Sequence, residues 1–401
     1  MKNRSALAIL FVIVFIDLLG FGMVIPVMAL YAERLGASPS QTGWLMASYS
    51  LAQFVFAPLW GRLSDRHGRR PLLLASIALT SVAFLAYALA PTFGWLLAAR
   101  VFAGIATANI GIAMAYVADV TTPAERAKGM GIIGAAFGLG FVLGPWMGGE
   151  LSQAYGLSAP GYAAAALAAA NSVAAFFILR EPAERRVAER RSRLAALAAE
   201  LRKPGVRRLI WIYLLVVFAF AGMESTFALL SEHRYGFSPR DVGRVFAFIG
   251  VVMVVVQGGL IGPLTRRFGE RTLLVAGLFL QAIGLAALPF MPGSPGLFAA
   301  TFPLAVGNGL ANPSMSSLLS RSAAADDQGE TLGIGQSASA LGRVLGPLGG
   351  TYVFGEVWMG GPYVGGALIM LAMAALAATL RRPEEVAAAG AGATALRGEE
   401  G

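Results

Sequence analysis

The chain has 401 residues, of which 57% are hydrophobic and only 13% charged, with a net charge of +9. Water-soluble domains carry about 25% charged residues, so a soluble globular protein is excluded, and the absence of cysteine excludes disulfide and thiol chemistry. The basic residues sit in short segments between apolar runs, a distribution that argues against nucleic acid as a partner and for the lipid bilayer.

A bilayer core is crossed by about 20 mainly apolar residues in helical form. Such stretches are predicted at 6–30, 41–61, 71–90, 94–117, 129–150 and 161–179, then at 209–231, 242–263, 272–290, 296–318, 332–354 and 362–380. The first follows Lys2 and Arg4 but continues through Asp17 without a small-residue cleavage site, so it reads as a retained span rather than a signal peptide. Twelve spans with the N-terminus inside put both termini and the middle loop in the cytoplasm, as expected of an inner-membrane protein. Of the 31 Lys and Arg residues, 25 then fall on the cytoplasmic side and only Arg34, Arg234, Arg240 and, in the first turn of its span, Arg244 on the outer side, while Arg100 and Arg343 lie deep within spans. That asymmetry is what the positive-inside rule requires.

The expected fold class is an all-α membrane protein in two pseudo-symmetric six-helix halves, residues 1–180 and 208–382. A basic linker (181–207) joins them, whose run from Glu184 to Leu201 reads either as an amphipathic helix near the anionic inner leaflet or as a passive connection, and a disordered tail (383–401) follows. The halves repeat. Gly61–Arg70 after span 2 is answered by Gly262–Arg271 after span 8, 201 residues later. Gly104 and Asn109 of span 4 are answered near Gly307 and Asn312 of span 10, and Gly144-Pro145 of span 5 by Gly346-Pro347 of span 11. An offset that spans six helices keeps both halves in one orientation, so they are parallel repeats.

These motifs resemble the major facilitator superfamily over essentially the whole chain, and its twelve-span drug–proton antiporter branch in particular. Gly61, Asp65, Arg66, Gly68, Arg69 and Arg70 match the family's loop 2–3 signature, and Arg100 with Gly104 its span 4 signature. Gly140, Gly144, Pro145, Gly148 and Gly149 match the span 5 pattern of antiporters, and Asp17 through Gly22 with Pro26 the span 1 pattern of tetracycline and multidrug exporters. The resemblance implies alternating access, a gate in which Asp65 faces the N-terminus of span 11 and Arg69 pairs with Asp119, and export of small amphiphilic compounds against protons. Spans 3 and 9 offer only neutral polar groups such as Gln281, and the second loop signature carries Thr265 or Arg266 where the first has Asp65.

Ionisable groups inside a membrane are costly and mark function by default. Asp17 and Glu224 are the only acids well inside spans, and either suits a proton carrier, because a carboxyl shielded from water holds a proton that a nearby cation or water releases. Arg100 keeps its charge and suits the partner that tunes an acid, or a static pair with Asp17 that fixes helix register. The glycines of span 5 permit close helix approach and Pro145 removes a hydrogen bond, which suits a hinge. Phe21, Gln53, Asn109, Tyr116, Phe220, Phe227, Gln257, Asn308, Asn312 and Gln336 are candidates to line a central cavity, although each equally suits helix-to-helix stitching.

The expected partners are a small-molecule substrate, protons and lipid, with no cofactor, no metal-ligating set and a monomeric chain. An ATP-driven pump is disfavoured because no phosphate-binding Gly-x-x-x-x-Gly-Lys-Ser/Thr loop occurs. A membrane enzyme lacks an intramembrane His or Cys, and a channel is the weaker use of this fold. The rival with the same fold is a proton symporter importing a sugar, organic acid or other metabolite.

Overall fold

The computed structural model describes residues 2–107, 110–121, 123–182, 203–322 and 328–380, and no strand occurs among them. The first half comprises α1 (Lys2–Arg34), α2 (Pro39–His67), α3 (Arg69–Ala88), α4 (Phe93–Ala106), α5 (Ile110–Val120), α6 (Pro123–Tyr155) and α7 (Ala159–Ile178). The second comprises α8 (Pro204–Tyr235), α9 (Pro239–Val255), α10 (Ile261–Phe268), α11 (Glu270–Ala287), α12 (Gly293–Arg321), α13 (Gln328–Tyr352) and α14 (Gly361–Ala378). Together they make twelve crossings, because α4 and α5 share one and a π-turn at Val256–Leu260 joins α9 to α10 in another. Among the described residues eight segments are both long and apolar enough to span a bilayer by themselves.

The helix starts carry the repeat down to individual hydrogen bonds. Ser38 caps α2 and Ser238 caps α9, each followed by proline, and each closes a capping box, with Gln41 and Asp241 respectively. The side-chain oxygen takes an otherwise orphan backbone N–H while the third residue returns a bond to the cap. Gly68 and Gly269 break the chain between α2 and α3 and between α10 and α11 with φ of 112° and 75°, a region that a Cβ makes costly.

Several boundaries differ from the sequence expectation. The signature at 61–70 is not a loop: α2 continues to His67, α3 starts at Arg69, and Gly68 alone separates them. His67 and His233 therefore lie in the last turns of α2 and α8 rather than in loops. In predicted span 4, α4 ends at Ala106 and α5 begins at Ile110, with residues 108–109 outside the described residues. At the end of α4 Trp60 donates to the Ile105 carbonyl (2.7 Å), Ser76 to that of Ala106 (2.5 Å) and Gln53 to that of Thr107 (3.1 Å), so α2 and α3 supply partners for these carbonyls. The amphipathic linker helix expected near 184–201, the tail at 383–401 and Asn109 fall outside the described residues.

The core of the second half is one apolar cluster running from Val206 to Leu380, and it reaches across to Ala29 and Leu30 of α1. The first half has separate clusters around Met23 and Tyr87 and around Trp60 and Tyr116. The halves meet at the end carrying the turns 35–38 and 236–238. There Gly43 of α2 abuts Pro347 and Thr351 of α13, and Gly149 of α6 abuts Pro239 and Gly243 of α9. Glu150 pairs with Arg240 (2.5 Å) and Arg244 (3.3 Å) across the same seam. Toward the opposite end, Gly61, Gly131, Gly134, Gly258, Gly259, Gly262 and Gly333 have no atom near the place a Cβ would take. Among the described residues the glycine contacts between the halves gather at and near the first of these ends, the closed end, and none occurs at the opposite, open end.

Candidate functional site

Three groups of residues bear on function: a polar cluster at mid-depth, an ionic knot at the open end of the first half, and the glycine seams.

At mid-depth, the Arg100 guanidinium lies over the Tyr49 ring, 4.4 Å from its centroid, and the Arg100 Nε is buried without a hydrogen-bond partner. Tyr49 also stacks on Phe21 at 5.1 Å, and Thr107 donates to the Tyr49 hydroxyl at 2.8 Å. Phe21 meets Phe141 of α6 edge-on. Asp17 is half-buried on α1, with its Oδ1 shielded and unpartnered. Among the described residues no ion pair joins Asp17 to Arg100, so the static pair considered from sequence is absent. A buried unpaired carboxylate oxygen is expensive, and the site tolerates that cost.

In the second half Glu224 is half-buried on α8, within the electrostatic reach of Arg343. Arg343 projects from α13 as an exposed side chain, and its charge is felt at Tyr49 of the other half as well. It therefore faces the space between the halves. Asp17 lies six residues before Met23 and Glu224 two residues after Gly222, and Met23 and Gly222 hold corresponding places, against Gly148 of α6 and Gly350 of α13. Eight residues of helix amount to about 12 Å of depth, so the two acids sit at different levels, with Glu224 nearer the closed end.

At the open end, Arg69 is almost fully buried and donates to Asp119 (3.0 Å), Asp65 (2.6 Å) and Ser64 (2.7 Å). Glu181, just beyond α7, accepts from the backbone N–H groups of Arg69 and Arg70 at 2.7 and 2.8 Å. An anion at the N-terminus of α3 is favoured by the helix dipole and by the free N–H groups there. Arg70 donates to the carbonyls of Leu179 and Phe176, while Arg66 is exposed. All these partners belong to the first half except Glu181, the first residue of the linker.

The glycines of α6 make two contacts. A Cβ at Gly144 would stand 2.7 Å from the Gly22 Cα, one at Gly140 2.8 Å from Leu18, and Gly148 packs on the Met23 backbone. This face seats α6 on α1 within the half. Gly149, on the other face, meets α9 across the seam, and Pro145 presents its carbonyl to Gly243 of α9.

The cavity candidates divide. Phe21 and Gln53 belong to the mid-depth cluster. Gln257, Asn312 and Gln336 are exposed, and Asn312 donates to the buried Asn308 at 2.6 Å. Phe220 is partly buried against the second-half core. Tyr116 is instead a core residue whose hydroxyl donates to the Arg180 carbonyl, and Phe227 is a core ring packed edge-on against Phe246. Both are packed among core side chains. Sequence reasoning missed Tyr49, Thr107 and Glu181, and assigned no role to Arg343. It also missed the ion pairs Glu270–Arg321 and Glu150–Arg240. The repeat held a signal for the first of these, since Glu270 and Arg321 lie 201 and 202 residues after Arg69 and Asp119.

The sequence profile of the Major Facilitator Superfamily matches residues 10–261 and 255–397. The chain is 33% identical to the tetracycline resistance protein, class C, of Escherichia coli over 92% of its length and 96% of the relative's. It is 30% identical to multidrug resistance protein 2 of Bacillus subtilis (strain 168), covering 88% of this chain and 90% of that one. The crystal structure of the human organic anion transporter MFSD10 (TETRAN) superposes with a TM-score of 0.70 at 26% identity, covering 94% of this chain and all of that one.

Proposed function

The chain belongs to the major facilitator superfamily, as an integral membrane secondary transporter of a small molecule and not an enzyme, and from that premise we propose that it exports small amphiphilic compounds, drugs among them, in exchange for protons. It works as a monomer in the inner membrane with both termini cytoplasmic, residues 1–180 and 208–382 forming the rocking halves. On this reading the closed end faces out and the open end faces the cytoplasm, one stage of an alternating-access cycle.

The observation that carries the reading is Asp17. Its shielded oxygen has no partner, and it lies beside the mid-depth cluster of a molecule open to one side. A group so placed takes a proton in one state and yields it in the other. Glu224, deeper toward the closed end and under the influence of Arg343, is the second proton site. Near-full-length likeness to two resistance proteins supports drugs as cargo.

A second reading rests on Arg343. An exposed guanidinium between the halves suits an anionic cargo, and the human relative at 26% identity is an organic anion transporter. The same fold would then run as a proton symporter for an organic acid. The direction of proton flux in liposomes with an interior pH dye decides between them. Protons leaving the acidic lumen when a lipophilic drug is added mark antiport. Protons moving in the same direction as an added organic anion mark symport and sink the export reading.

A further inference from the structure

At the closed end the last turns of α1 and α8 bring Glu33, Glu232 and His233 together, with one ligand atom from each within 4.8 Å of the others. His233 Nε2 is 2.8 Å from Glu33 Oε1, and the ring leans toward the buried Phe354 at 6.5 Å between centroids. Two carboxylates this close repel unless a cation lies between them. Among the described residues neither has a Lys or Arg within ion-pair distance, and Arg234 is directed over the Tyr235 ring instead. One imidazole nitrogen with two carboxylate oxygens is a donor set used for zinc, at metal–ligand distances of about 2.0–2.2 Å with a fourth position left to water. A small inward movement of the three side chains meets that requirement.

We propose that Glu33, Glu232 and His233 form a divalent-cation site, selective for zinc among common metals, that bridges the two halves and holds the outer end shut. Glu33 belongs to the first half and the other two residues to the second, so the set exists only while this end is closed. A metal that binds one state and not the other shifts the population toward that state. Bound zinc therefore stabilises the protein and stalls its cycle. Residues 200 apart give no spacing signal, which is why the sequence alone showed no metal-ligating set. With no cysteine and only two histidines in the chain, and His67 at the opposite end, few other zinc donors compete.

The test uses purified, chelator-treated full-length protein and zinc chloride. Thermal unfolding reads binding without reference to any cargo, so it stands or falls separately from the export reading. Zinc raises the unfolding temperature of the unaltered protein and of His67→Gln. In His233→Gln, and in Glu33→Gln combined with Glu232→Gln, the apparent affinity falls at least about tenfold, the scale that loss of even an outer-shell partner produces. Spin labels on cysteines introduced at the outer ends of α1 and α8 show the closed distance gaining population with zinc. No stabilisation of the unaltered protein, or equal stabilisation of the ligand variants, overturns the proposal.

Discussion

Arg69 and Glu270 occupy one structural position with opposite charge. Each is the first residue after the positive-φ glycine that breaks the chain, Gly68 or Gly269. Each pairs with the residue that closes the fourth crossing of its half: Arg69 with Asp119 at 3.0 Å, Glu270 with Arg321 at 3.1 Å. The repeat has kept the ion pair and exchanged its ends. The settings differ, however. Arg69 and Asp119 side chains are 4% and 1% exposed, whereas Arg321 is 58% exposed.

That difference sets the cost of breaking each pair. Asp119→Asn leaves a buried guanidinium with Asp65 as its remaining charged partner, a loss of about 3 kcal/mol, at the low end for a broken buried pair. Arg321→Gln removes a solvated partner while Ser317 still donates to Glu270, and costs about 1 kcal/mol or less. Thermal unfolding in detergent measures both. Equal losses would contradict the assignment of burial.

Asp65→Asn is expected to leave the protein inserted and to slow its cycle several-fold, because Arg69 then loses the partner that lies nearest the open end. The measurement is transport rate divided by the amount of protein in the membrane. An unchanged rate reduces the signature to an anchor for α2 against α3.

Gly243→Ala puts a methyl group against the Pro145 carbonyl at the closed seam, where nothing soft can yield. The variant should keep its fold, since the contact lies between halves, and should shift toward the state open at this end. The chain has no cysteine, so a pair of introduced, spin-labelled cysteines reports the distance directly. A distribution matching the unaltered protein would count against a seam that opens in the cycle. Gly144→Leu is a different case: its Cβ meets the Gly22 backbone within one half, so loss of folded protein, rather than loss of exchange alone, is the expected result.

Arg343→Gln separates the two cargo readings. If the cargo is cationic or neutral, removing a facing charge leaves its apparent affinity unchanged or improves it. If the cargo is anionic, affinity falls by about tenfold or more, the worth of a charge-assisted hydrogen bond. Binding titrations with one lipophilic cation and one organic anion read the outcome.

The crossings and their repeat were legible because the bilayer imposes long apolar runs and the positive-inside bias, and because parallel halves leave one fixed offset. The hydrogen bonds that Trp60, Ser76 and Gln53 make to the carbonyls of Ile105, Ala106 and Thr107 were not, since they depend on side chains reaching across from other helices. Tyr116 and Phe227 look like cavity aromatics in sequence, yet which face of a fully apolar helix meets the core has no compositional signature. Arg343 was visible as a charge within a span, but its orientation toward the other half depends on how the halves pack. The pairs Glu33–His233 and Glu150–Arg240 at the closed end join residues 200 and 90 apart, a relation that only the closed seam creates.

The central claim is that a carboxyl on α1 carries the proton that drives export. The most direct measurement is drug-dependent proton flux in liposomes holding the unaltered protein, Asp17→Asn or Glu224→Gln, with drug-for-drug exchange recorded in parallel. Asp17→Asn is expected to abolish proton flux and still exchange drug for drug, with Glu224→Gln reducing the flux. Full proton-driven transport in both variants would contradict it.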